Sequence, residues 1–103
     1  MNAYSTAIPK KLHLIWIGDR YRRPDDCIVS WRDNHPGWQF KLWTDQDLLK
    51  TTWLTEPQID AFRHARQWSA IADLMRYEIL YREGGVYVDA DSYSLRPLDD
   101  WLL

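Results

Sequence analysis

Two aspartates one residue apart, Asp89 and Asp91, close the run Gly84-Gly85-Val86-Tyr87-Val88-Asp89-Ala90-Asp91. A glycine pair followed by β-branched and aromatic residues reads as a turn into a short buried strand, Val86 to Asp89. Carboxylates at the exit of such a strand stand where open α/β sheets build their ligand crevices. Side chains two apart on a strand point to the same side, so both carboxylates can face one ligand. Their hard oxygens suit Mg2+ or Mn2+ and a diphosphate. A divalent cation would also relieve the repulsion between two anions held so close. Spacing alone leaves open two solvated turn aspartates.

A second Asp-x-Asp, Asp45-Gln46-Asp47, follows Thr44 at a predicted helix start. Carboxylates there cap backbone N–H groups, so this pair reads as structural. Ser69, Asp73 and Arg76 fall on one side of a helix, at spacings of four and three. Asp73 and Arg76 fit either an exposed ion pair or a polar pair turned toward the crevice, where Arg76 would grip a phosphate or hydroxyl. His13 lies in a predicted buried strand and reads as a satisfied core histidine. His35 and His64 read as surface residues. The chain has no Cys/His spacing for zinc, no glycine-rich phosphate loop and no nucleophile elbow. Seven Trp and six Tyr are many for 103 residues. Most would fill a core, and one or two would offer flat faces to a base or a sugar.

The elements that must position these residues alternate between strand and helix. Lys11 to Ile17 reads as a strand with two apolar faces, Leu12, Leu14 and Trp16 against His13, Ile15 and Ile17, and therefore as central and doubly covered. Pro24-Asp25-Asp26 starts a helix that runs to about Asn34, where His35-Pro36-Gly37 stops it. Trp38 to Trp43 is a second strand. Thr44-Asp45 opens a short helix through Lys50, and Thr55-Glu56-Pro57 starts another short helical piece. Gln67 to Arg82 is the clearest helix, with Ile71, Met75 and Ile79 in one row and Gly84 or Gly85 as its cap. Ser92 to Asp100 reads as loop. This order implies an α/β fold with a mostly parallel sheet.

The bulk composition is that of one globular domain, 46% hydrophobic and 27% charged. A net charge of −2 with interspersed signs gives no basic stripe for nucleic acid. No apolar run approaches the roughly 20 residues of a membrane span. Met1 to Pro9 lacks a signal-peptide core. The single Cys27 is compatible with a reducing compartment. The expected location is cytoplasmic, with any membrane association supplied by parts outside this chain. The apolar ending Trp101-Leu102-Leu103 suggests that residues 1–103 are the first half of a larger fold.

Several segments together resemble the DXD-containing sugar-transferase family, which includes yeast-type initiating mannosyltransferases, capsular polysaccharide transferases and, more distantly, the glucosylating clostridial toxins. Ile8 to Gly18 is similar to the family's opening strand. Ser30-Trp31, Pro36 and Trp38 to Trp43 resemble its next unit. Ala72-Asp73-Leu74-Met75-Arg76-Tyr77, then Leu80-Tyr81 and Gly84 to Asp91, match its signature block in order and spacing.

The resemblance implies a GT-A-like nucleotide-diphospho-sugar-binding fold, Rossmann-like, of which residues 1–103 are the N-terminal donor-binding part, truncated at the C-terminus. It implies a glycosyltransferase that moves a sugar from a nucleotide-diphosphate sugar to an acceptor hydroxyl, with Mn2+ or Mg2+ and with retention, as in polysaccharide biosynthesis. The acceptor would be a glycan, a lipid-linked species or a protein. By position, Trp16 would stack on the base. Asp73 and Arg76 would hold sugar hydroxyls, with Ser69 assisting Asp73. Asp89 would contact ribose or sugar, and Asp91 would bind the metal. Relatives continue well past the Asp-x-Asp, so the alternative is a truncated or degenerate nucleotide-sugar-binding domain without transfer. A phosphatase of the Asp-x-Asp type fits less well, because Tyr93 stands where those enzymes carry Thr or Val.

Overall fold

The computed structural model describes residues 8–102. The first strand, β1 (Lys11–Ile15), has apolar residues on both faces, and both faces are covered. Leu12 and Leu14 point into one core with Ile28, Trp38 and Ala90. Ile15 and the following Ile17 point into another, with Leu48, Trp53, Ile59, Ile71, Met75 and Ile79. A strand buried on both sides belongs in the middle of a sheet. It pairs in parallel with β2 (Gln39–Trp43) on one edge and β3 (Val86–Tyr87) on the other, giving a three-stranded sheet of order β2-β1-β3.

Helices cover the two faces. α1 (Asp25–Asp33) follows β1 and buries Ile28 in the Leu12/Leu14 core. α2 (Asp45–Lys50), α3 (Glu56–His64) and α4 (Trp68–Glu83) lie between β2 and β3 and fill the opposite core. The expected row Ile71, Met75 and Ile79 is the buried stripe of α4. A final helical turn, α5 (Asp99–Leu102), begins inside the stretch expected to be loop. The result is an α/β fold consistent with part of a GT-A-like domain. Among the described residues no helix is long and apolar enough to cross a membrane.

Asp47 caps α2. Its carboxylate accepts the Thr44 N–H at 2.8 Å and pairs with Lys41 at 2.9 Å. Burial opposes its ionisation, but the Thr44 N–H and the Lys41 ammonium outweigh that and hold it below the usual carboxylate range. Of the second Asp-x-Asp, Asp47 is thus used as a cap, as expected, while the Asp45 carboxylate accepts the Gly18 N–H at 3.0 Å.

The turn from α4 into β3 depends on glycine. Gly84 ends α4 with φ 68° and donates its N–H to Leu80 O at 2.9 Å. Gly85 has φ 93°, and a Cβ there would strike the Lys11 carbonyl oxygen and lie 2.8 Å from Lys11 Cβ. Only a glycine lets the chain come this close to β1. His13 then pins the turn. Trp43 donates its indole N–H to His13 Nδ1 at 3.2 Å, so Nε2 carries the proton and donates to Gly84 O at 2.9 Å. His13 is a satisfied core histidine.

Three expectations need correction. β3 ends at Tyr87 rather than Asp89, although Val88 N–H still bonds to His13 O at 3.0 Å. The chain leaves the ladder because Asp89 O is taken by Ser92, whose N–H and hydroxyl both donate to it. β1 likewise ends at Ile15 rather than Ile17. His35 is not on the surface but only 2% exposed. Leu98 donates its N–H to His35 Nε2 at 2.9 Å, so Nδ1 carries the proton and donates to Trp31 O at 2.6 Å. Its partner Leu98 lies 63 residues along the chain, beyond the reach of local pattern.

Candidate functional site

A cleft of about 220 Å³ opens where the C-terminal end of β1, the first turns of α4 and the turn after β3 meet. Ligand crevices of parallel sheets form at this end. β1 and its exit bring Ile15, Trp16 and Ile17. α4 brings Trp68, Ser69 and Ala72, and the third strand region brings Tyr87, Asp89, Ala90 and Asp91. Ala90 is 4% exposed and packs into the core, so the two exposed aspartates flank a buried anchor. They share the cleft from a turn, not from the strand alternation first inferred. A wider concavity of about 430 Å³ lies beside α1, lined by Asp25, Asp26, Asp33 and Tyr93 among others. It contains neither residue of the Asp89/Asp91 pair, and we regard the smaller cleft as the chemically informative one.

Trp16 is half-buried and donates its indole N–H to Asp19 O at 2.6 Å. It also lines a neighbouring cleft of about 270 Å³ with Arg23, Thr44, Asp45 and Gln46. Gly18 has φ 93°, and a Cβ there would sit 2.9 Å from the Trp68 ring. The chain leaving β1 therefore lies directly against Trp68.

Of the residues expected at the site, Trp16, Ser69, Asp89 and Asp91 come together in this cleft, and Asp73 and Arg76 do not line it. Asp73 is exposed, and its carboxylate lies 3.6 Å from Arg76 Nη2. Arg76 also donates to the Tyr77 hydroxyl at 3.0 Å and lies 5.5 Å from the centre of the Tyr87 ring. Tyr87 connects this pair to the cleft, because it lines the cleft together with Asp89 while its ring lies beside Arg76. Burial pushes the Tyr87 phenol up to about 12, the Asp89 carboxylate adds to that shift, and Arg76 opposes it. At neutral pH the phenol therefore keeps its proton.

Trp68 and Tyr87 were not singled out from the sequence. The signal for Tyr87 was present: it stands in the short run that leads directly into the Asp-x-Asp. Trp68 carried no comparable signal, since its partner Gly18 is remote in sequence.

Among the described residues no group of three His, Cys, Asp or Glu side chains forms a metal cage. The donor set still fits a hard cation held by one or two carboxylates, with water and diphosphate oxygens completing its shell, which is the usual way Mg2+ is bound.

Comparison with known proteins identifies the family. Residues 22–103 match the model of the glycosyltransferase sugar-binding region containing a DXD motif. The chain is 34% identical over 92% of its length to inositol phosphoceramide mannosyltransferase 1 of Schizosaccharomyces pombe, covering 31% of that protein. It is 31% identical over 71% of its length to the initiation-specific alpha-1,6-mannosyltransferase of Candida albicans, covering 20% of it. It is 27% identical over 90% of its length to Subversion of eukaryotic traffic protein A of Legionella pneumophila, covering 18% of it. The chain thus spans less than a third of these relatives. No solved structure matches it significantly. With the family model covering most of its length, the chain belongs to the family of glycosyltransferase sugar-binding regions that contain a DXD motif.

Proposed function

We propose that this chain is the donor-binding part of a metal-dependent glycosyltransferase that takes a nucleotide-diphosphate sugar and transfers its sugar with retention. The observation that carries this reading is the single cleft shared by Asp89, Asp91, Trp16 and Ser69. Asp91 would hold Mn2+ or Mg2+, with Asp89 beside it. When bound, such a cation supplies a Lewis acid for the charge that develops on the departing diphosphate. Trp16 would present its face to the base, as half-exposed rings do. Asp73, backed by Arg76, would read sugar hydroxyls from the rim, with Ser69 nearby. A sugar lacking the hydroxyl would leave those polar groups unpaired and be rejected. The mannosyltransferase names of two relatives favour a mannosyl donor. The acceptor would be a glycan, a lipid-linked species or a protein.

Calorimetric titration with UDP- and GDP-sugars, with Mn2+ and then with EDTA, tests the reading. Wild type is expected to bind one of them only with metal, and Asp91→Asn to lose that binding while melting normally. Equal binding in Asp91→Asn contradicts it.

A further inference from the structure

We propose that Trp31, on the far side of the sheet from α4, is a positioning residue for the Asp89–Asp91 turn and acts through Ser92. The inference rests on the donor-site reading above. Trp31 lies on α1 and packs against the Leu12/Leu14 core. Its ring stacks on His35, with centroids 5.6 Å apart and planes at 22°. His35 is held in turn by Leu98 and the Trp31 carbonyl. The indole is therefore fixed before it reaches the turn.

Its N–H is shared between Ser92 O at 3.0 Å and Ser92 Oγ at 3.1 Å. The Ser92 hydroxyl, accepting from Trp31, turns its own proton to Asp89 O at 2.6 Å. The Ser92 N–H reaches the same carbonyl at 3.0 Å. Asp91 thus stands between buried Ala90 and a serine whose backbone and hydroxyl are both tied. With these two neighbours fixed, a cation or diphosphate meets a turn already in shape. Outer partners that orient ligating groups typically change metal affinity by about 10- to 100-fold.

Trp38 provides the control. It packs in the same core, touches His35 edge-on at 5.3 Å, and donates its indole N–H to Asp99 Oδ1 at 2.7 Å. It makes a comparable bond to the same returning segment, but to Asp99 rather than to Ser92.

The test is a set of Mn2+ titrations in the presence of UDP and, separately, GDP, with melting and amide hydrogen exchange of each protein. Trp31→Phe keeps the ring and removes the N–H. It is expected to weaken Mn2+ binding about tenfold and to speed exchange of the Ser92 amide. Ser92→Ala should do the same, and the double variant should be no worse than either single. Trp38→Phe should lower the melting temperature with Mn2+ affinity and Ser92 exchange unchanged. Wild-type Mn2+ affinity in Trp31→Phe overturns the proposal, as does an equal loss in Trp38→Phe. If Trp31→Phe does not fold, Ser92→Ala against Trp38→Phe decides. If wild type binds no Mn2+ with either nucleotide, the donor-site reading fails by itself. Ser92 exchange then decides: faster exchange in Trp31→Phe alone supports the hold on the turn, and unchanged exchange overturns it.

Discussion

Tyr87 is the residue on which the two halves of the polar arrangement meet. It lines the cleft with Asp89, its ring lies near Arg76, and Arg76 lies beside Asp73. Its proton is retained to about pH 12, against an ordinary value of 10.0, with burial the largest cause. A folded-state value raised above the unfolded one favours the folded protein while the phenol is protonated. That advantage is complete below pH 10 and is lost as pH rises toward 12. Tyr87→Phe should therefore show a flatter decline in stability over this window than wild type, measured by denaturant unfolding at stepped pH. An identical decline in both would contradict the assignment. The site residues were unevenly legible. Asp89 and Asp91 announced themselves by type and spacing, while Trp16 entered only through the family resemblance. Asp73 and Arg76 were correctly grouped on α4, but periodicity does not say how far a helix face stands from a cleft. Tyr87 intervenes.

Among the elements, the α4–β3 turn carries the greatest sensitivity. Gly85 must combine positive φ with close approach to the Lys11 backbone, which cannot move without disturbing β1. Gly85→Ala should cost about 1–3 kcal/mol or more, the range of overpacking, with left-handed strain added. Gly37→Ala, where a Cβ would meet nothing within 4 Å, is the matched control and should leave stability nearly unchanged. Urea unfolding of both variants checks the contrast, and equal losses would refute it. Element types were legible because each carries its own local signal. The two apolar faces of β1, the helix start at Thr44-Asp45 and the Ile71, Met75, Ile79 row all appear where expected. The boundary of β3 was not legible. It is set by Ser92 closing on Asp89, and by Trp31 holding Ser92 from 61 residues away. The burial of His35 was missed for the same reason. Long-range hydrogen bonds leave no period in a sequence.

At the scale of the whole molecule, two cores on opposite faces of one short sheet support opposite sides of the Asp89–Asp91 turn. α4 and the exit of β1 wall the cleft. α1 holds the turn from the other face through Trp31, Asn34 and Ser30, which bond to Ser92 and Ser94. The family model covers residues 22–103, which include this turn, while the relatives are more than three times longer than their match. The central claim is that the turn bearing Asp89 and Asp91 receives the metal–diphosphate unit. Paramagnetic broadening by Mn2+ in amide and indole NMR spectra, with UDP or GDP present, tests it most directly. The account predicts broadening centred on residues 88–92 and falling off through Ser69 and the Trp16 indole, reversed by EDTA and absent in Asp91→Asn. Broadening centred on Asp45 and Asp47, or on the Asp25, Asp26 and Asp33 concavity, would contradict it.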